Sequence, residues 1–100
     1  MNQNLDMQGR IDAAIADAAS RTGIAAASIK IVAAEAVTWP DGSLGCPQPG
    51  MVYTQALVPG YRIRLNADGR NLDYHAGERG VPAYCPGERG LEPVPVGGRS

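Results

Sequence analysis

Apolar residues in the first part of the chain recur every three or four positions, the spacing that places side chains on one face of a helix. The residues that follow this spacing are Met7, Ile11, Ala14, Ile15 and Ala18. We therefore predict an amphipathic helix over residues 4–22, with Asn4 as its N-cap and Gly23 as its C-terminal stop.

The hydrophobic period shortens to two in residues 28–39, which predicts a long β-strand. Four apolar side chains of this strand share a parity: Ile29, Ile31, Val37 and Trp39. Glu35 falls on the same parity, where its charge would face the core. We expect a β-bulge near Ala33–Ala34 to shift the register of the strand.

Two more strands are predicted to form a hairpin across a turn at residues 66–69. Alternation directs one set of side chains inward: Tyr61, Ile63, Leu65, Leu72 and Tyr74. It directs another set outward: Arg62, Arg64, Asp73 and His75. Residues 51–58 predict a further strand, and Pro59–Gly60 predicts a tight turn. The whole pattern predicts an α+β fold, with one N-terminal helix packed on a three- to four-stranded antiparallel meander.

Residues 39–50 hold three prolines and three glycines, which exclude a helix or a central strand. We predict a stiff, turn-rich loop, and loops held on rigid scaffolds often form binding surfaces. Trp39 and Leu44 are expected to tie the loop to the core. Trp39 and Tyr53 flank the loop, and of the aromatic side chains they are the two for which exposure stays open. The predicted contact residues are Trp39, Asp41, Ser43, Leu44, Pro47, Gln48 and Tyr53.

The length of 100 residues suits one domain, and we predict a globular domain at 1–86 and a flexible tail at 87–100. The net charge is -1 with no basic stripe, which disfavours nucleic acid and anionic membranes as partners. No apolar run reaches the roughly 20 residues that span a bilayer. No export signal is visible, so we expect a cytoplasmic protein, or a periplasmic or secreted one if a signal peptide has been removed.

Cys46 and Cys85 each precede a proline, and three interpretations of the pair stay open. The two sulfurs form a disulfide, remain two unrelated thiols, or bind a metal with His75 and Asp41. The compartment decides between the first two, because a reducing cytosol keeps thiols apart. The cysteines lack the short paired spacing of zinc sites, so we predict no metal and no cofactor.

One long string of residues carries a family resemblance: V-T-W-P-D-G-S-L-G-C-P-Q-P-G at 37–50, Y-T-Q-A at 53–56, P-G-Y at 59–61 and Y-H at 74–75. It resembles the signature of a small bacterial family of uncharacterised function, which occurs as a stand-alone domain or attached to exported proteins. The resemblance covers about residues 28–85. It implies that the loop, both cysteines and Tyr74–His75 form one unit, and it implies no activity.

These observations favour a non-catalytic binding domain that presents the loop at 39–50 to a protein or a small molecule. The residues form no credible catalytic set, so an enzyme is disfavoured. The alternative is a thiol- or metal-dependent protein that uses Cys46, Cys85 and His75. A third hypothesis is a structural subunit in which the sheet edge or the alanine-rich helix dimerises. For the chain as a whole we expect a monomer or a weak homodimer.

Overall fold

The fold is an α+β arrangement of one helix and a four-stranded antiparallel sheet, seen in a computed structural model that describes residues 6–95. Helix α1 spans Met7–Thr22. The strands are β1 (Ile29–Trp39), β2 (Val58–Ala67), β3 (Arg70–Gly77) and β4 (Ala83–Cys85). The strands lie in chain order, so the sheet is a meander with β1 and β4 at its edges. The predicted fold class is confirmed.

Helix α1 begins and ends at clear capping residues. Asp6 is the N-cap, and its carboxylate accepts a hydrogen bond of 2.7 Å from the Gly9 amide. The helix therefore begins later than predicted, and Asn4, the expected cap, lies outside the described residues. Gly23 ends the helix as predicted and donates its amide to the Ala19 carbonyl.

One face of the sheet, called here the helix face, packs against α1 and forms an apolar core. The buried members of this core are Ile11, Ala14, Ala18, Ile29, Ile63, Leu65, Ala67, Leu72 and Tyr74. The Tyr74 hydroxyl donates a hydrogen bond of 2.7 Å to the Asp17 carboxylate on α1. Burial raises the pKa of Tyr74 well above its usual range, and this bond raises it further. The contact ties β3 to the helix.

The predicted bulge in β1 is confirmed, and it lies at Val32. Ile31 is opposite Leu65, whereas Ala33 is opposite Arg64, so Val32 is an extra residue. Beyond the bulge the side-chain parity reverses relative to Ile29. Trp39 therefore lies on the second face of the sheet, and the expectation that it continues the Ile29 face is wrong.

One strand prediction and one turn prediction near residue 58 are wrong. Residues 51–57 form no strand, and Pro59–Gly60 lies inside β2 rather than in a turn. Gly60 opposite Gly77 is the last pair between β2 and β3, so Pro59 lies beyond the end of β3. A proline is tolerated there because no neighbouring strand on that side needs its missing N–H.

The second face of the sheet, called here the loop face, is covered as well. Residues 40–57 and 86–95 contribute to this cover, so Arg62 is only 7 % exposed and His75 only 2 %. The expectation that these two side chains point to solvent is wrong. Alternation places them correctly on the face away from the helix, but a second layer of chain buries that face.

Residues 87–95 contact the domain at several points. The Leu91 amide donates to the Gly45 carbonyl at 2.8 Å, and the Val94 amide donates to the Thr38 carbonyl at 2.8 Å. The division into a domain of residues 1–86 and a flexible tail of 87–100 stays a prediction. Residues 96–100 lie outside the described part of the chain.

Candidate functional site: a clamped loop

The loop face carries a connection between β1 and β2 that is fixed at several points, called here the clamped loop (residues 40–54). Its base is Trp39, which is fully buried, so Trp39 ties the loop to the core as expected and the alternative that it is exposed is wrong. The indole Nε1 donates to the Ala76 carbonyl at 3.0 Å, and the ring stacks on His75 with centroids 4.4 Å apart. Gly60 is required beneath it, because a β-carbon there would collide with the Ala76 carbonyl and the indole.

The first turn of the clamped loop is organised by Asp41. Its carboxylate accepts hydrogen bonds from the Ser43 hydroxyl at 2.6 Å and the Ser43 amide at 2.9 Å. These bonds hold the pKa of Asp41 below its usual value. The Gly42 amide donates to the Thr54 carbonyl at 2.9 Å, which joins the two ends of the loop. The short polar side chains act locally, as they do in turns.

A disulfide attaches the clamped loop to β4. Cys46 and Cys85 are joined with their Cα atoms 5.9 Å apart, across a sequence separation of 39. Of the three interpretations left open by the sequence, the structure supports the disulfide. Among residues 6–95, no group of three or more histidine, cysteine, aspartate or glutamate side chains is arranged to hold a metal ion.

His75 connects the clamped loop to the sheet through both ring nitrogens. Nδ1 lies 2.7 Å from the Leu44 carbonyl, and Nε2 lies 3.0 Å from the Asp73 carboxylate. Both partners are acceptors, so the ring satisfies them together only when it carries two N–H groups. With both nitrogens engaged and the ring stacked on Trp39, His75 is a positioning residue for the loop.

An ion-pair network surrounds His75. Arg62 donates to both Asp73 oxygens, at 2.9 and 3.2 Å, and to Glu92 at 2.9 Å. Burial alone would raise the pKa of Asp73, but hydrogen bonds from His75 and Arg62 and the nearby charges lower it below its usual value. Glu92 extends the network from Arg62 into the segment that follows β4, and the clamped loop joins the same network through the contact of His75 with the Leu44 carbonyl.

The far end of the clamped loop, Gln48–Val52, is its exposed tip. The Met51 amide donates to the Gln48 carbonyl, with Pro49 and Gly50 between them and Gly50 at φ 81°. This is the geometry of a type II turn, in which the third position favours glycine. The Gln48 amide donates to the Tyr53 hydroxyl at 3.0 Å, which braces the turn. Met51 is 58 % exposed and Val52 is 93 % exposed.

The predicted contact residues divide by exposure. Trp39 and Ser43 are buried, Asp41, Leu44, Pro47 and Tyr53 are half-buried, and Gln48 is exposed. Several of them line one cavity of about 220 Å³ beneath the loop, together with His75 and Tyr84. That volume is below the roughly 300 Å³ at which small-molecule pockets begin. The sequence reasoning missed Met51 and Val52, although the Pro49–Gly50 pair is the signal for the turn that exposes them.

The structure defines the class of the protein: a small α+β domain that carries a clamped loop. Comparison with known proteins identifies its family. Residues 11–85 match the family described as Domain of unknown function (DUF8738). The chain belongs to this family. No curated protein matches the chain, and no solved structure matches it. None of the helices among residues 6–95 combines the length and the apolar character that crossing a membrane requires.

Proposed function

We propose that the protein is a small, non-catalytic binding domain that presents the loop predicted at 39–50, extended to the rest of the clamped loop, and that the tip Gln48–Val52 makes the contact. The observation that carries this proposal is an exposed apolar tip on a loop that is otherwise fixed. Val52 is 93 % exposed although the base of the same loop is fully buried at Trp39. Single exposed apolar side chains are common, but adjacent ones mark interaction sites, and Met51 and Val52 are neighbours at the tip.

The attachments of the clamped loop support binding by shape. The disulfide, the Gly42–Thr54 hydrogen bond and the His75–Leu44 contact each fix a different part of the loop. Ordering a flexible loop on binding costs free energy, about 0.5–1.5 kcal/mol for each immobilised side chain. A loop that is already ordered avoids most of this cost. Protease inhibition is one special case of such binding.

The chemistry of the tip favours a protein partner with an apolar cleft. Residues 47–57 contain no charged side chain, and the exposed groups include Met51, Val52 and Leu57. The cavity beneath the loop is small for a small-molecule ligand. A joined cysteine pair offers neither a thiolate nor a metal ligand, so the thiol- or metal-dependent alternative finds no support here.

The disulfide also bears on where the protein works. We propose an oxidising compartment, such as the bacterial periplasm or the exterior, because disulfides persist there and are reduced in the cytosol. This proposal replaces the cytoplasmic expectation. Recovering the native protein with Cys46 and Cys85 in the thiol form would contradict it.

Affinity capture with matched bait variants tests the proposed function. We expect Met51→Ser with Val52→Ser to lower capture of the specific partner more than tenfold, because each buried side chain contributes roughly 1.5–3 kcal/mol. Val81→Ser is the control, since Val81 is 67 % exposed and lies outside the loop. Equal capture by the double variant and the control would refute the tip as the contact. A panel of proteases, tested with the same baits, examines the inhibitor case.

A further inference from the structure

Strand β1 leaves a long backbone edge without a strand partner among residues 6–95. It has eleven residues and pairs only with β2. Two large apolar side chains at its bulge are exposed, Ile31 by 50 % and Val32 by 59 %. Exposed edges of this length are where another strand adds to a sheet.

The direction of the free backbone groups follows from one hydrogen bond. The Thr38 carbonyl accepts from the Val94 amide, so it points away from β2. Backbone groups alternate along a strand, so those of Ala36 and Ala34 also point outward. Ala34 is opposite Ile63 and Ile31 is opposite Leu65, two positions along β2, so Ile31 points outward as well.

The edge is complementary to itself in one antiparallel register. When Val32 of one copy is placed opposite the partner's Ala33, Ile31 falls opposite the partner's Ala34, and both present outward backbone groups. Lys30 then falls opposite the partner's Glu35. Both charged side chains lie on the loop face, since their neighbours on β2 are Asn66 and Arg62. The two bulges face each other, so neither disturbs the register of the other.

We propose that β1 pairs with β1 of a second copy across residues 29–36, forming a two-fold symmetric dimer with a continuous eight-stranded sheet. The symmetry makes the Lys30–Glu35 pair occur twice. Thr38 stays outside the paired region, so the Val94 hydrogen bond is kept. Lysines and bulges also protect edge strands from pairing. The opposite sign and matched positions of Lys30 and Glu35 favour pairing instead.

Charge reversal and mixing test this register. Sedimentation equilibrium of the oxidised protein should show a dimer. Lys30→Glu and Glu35→Lys should each raise the dissociation constant of this dimer about tenfold, because each places two like-charge pairs across the strands. An equimolar mixture of the two variants should restore the dimer, since both cross-strand pairs again have opposite signs. Arg70→Glu on β3 and Asp12→Lys on α1, matched in charge change at exposed sites outside β1, should leave it unchanged.

Each outcome either supports the proposal or overturns it. Weak dimerisation of each single variant, together with strong dimerisation of their mixture, supports the dimer and its register. A wild-type protein that stays monomeric at several hundred micromolar overturns the proposal. A dimer that neither single variant weakens, or that the mixture fails to restore, also overturns it, because the copies then pair elsewhere. All four sites are exposed, so circular dichroism should confirm that every variant is folded.

Discussion

The helix face and the loop face of the sheet are both buried, but different groups bury them. The helix face is covered by apolar side chains of α1 that pack on Ile63, Leu65 and Tyr74. The loop face is covered by irregular chain, held by the disulfide, the Arg62–Glu92 ion pair and the contact of His75 with the Leu44 carbonyl. The comparison shows two ways of fixing a layer: nondirectional burial on one side, and a few directed bonds on the other.

This difference has a functional consequence. A helix packed by apolar contact turns its apolar face to the core. None of the large apolar side chains that are exposed in the described part of the chain belongs to α1. A loop fixed by a few directed bonds keeps its middle free of the core, so Met51 and Val52 project while Trp39 is fully buried. The loop face therefore combines order with exposure.

The largest effect is expected from removing the disulfide. Cys46→Ala with Cys85→Ala should lower the free energy of unfolding by about 4 kcal/mol, as chain entropy predicts for a separation of this size. Amide exchange should rise more in residues 41–46 than in α1, because the disulfide fixes only the loop face. Urea unfolding and hydrogen exchange measure the two effects. A loss below about 1 kcal/mol, or equal exchange in both regions, would contradict the comparison.

A smaller effect is expected from Asp73→Asn, which breaks the ion-pair network. At pH 7 it should cost about 2 kcal/mol, because hydrogen bonds to charged groups are lost at a half-buried site. The pKa of Asp73 is lowered in the folded protein. Ionised Asp73 therefore stabilises the folded protein fully at a pH above its pKa in the unfolded chain, about 3.9. This stabilisation is lost as the pH falls through its lower pKa in the folded protein.

The Asp73→Asn protein should consequently lose less stability than the wild type between pH 7 and pH 3. Urea midpoints at the two pH values measure this difference. Asp12→Asn is the matched control, since Asp12 is exposed on α1. If the stability of Asp73→Asn and of Asp12→Asn depended on pH in the same way, the ion-pair network around Arg62 would contribute nothing to holding the loop face.

The smallest effect is expected from Tyr53→Phe at the tip. It removes the hydroxyl that accepts the Gln48 amide and leaves the ring in place. The free energy of unfolding should change by about 0.5 kcal/mol, because the bond is exposed to water. Exchange of the Gln48 amide should nevertheless quicken several-fold. An unchanged Gln48 exchange rate would show that Tyr53 does not brace the turn.

The sequence predicts most of the helix face, because its pattern is periodic. The residue spacing of α1, the alternation in β2 and β3 and the misplaced charge of Glu35 lead to the helix, the hairpin and the bulge. The predicted strand at 51–58 is wrong: its residues are mostly apolar but do not alternate, and residues 51–57 pair with no strand of the sheet. A short apolar run without alternation is a weak signal for a strand.

The loop face is less predictable, because alternation says which side chains share a face and not whether that face is covered. Arg62 and His75 are polar and occupy outward positions, so pattern alone assigns them to solvent. They can be buried because acceptors contact their polar groups. Arg62 donates to Asp73 and Glu92, and the His75 ring contacts the Leu44 carbonyl. Asp73 lies on the same predicted hairpin face as Arg62 and His75, but Glu92 and the Leu44 carbonyl come from distant segments, and no local signal joins them to that face.

Nitrogen-15 relaxation of the oxidised protein tests the central claim most directly, which is that the clamped loop is held in one pose. The measurement compares backbone order parameters of Ser43, Leu44, Cys46 and Met51 with those of helix α1. The account predicts values near 0.85 in both regions, as in rigid backbone. Values below about 0.6 in the loop, beside a rigid helix, would contradict it.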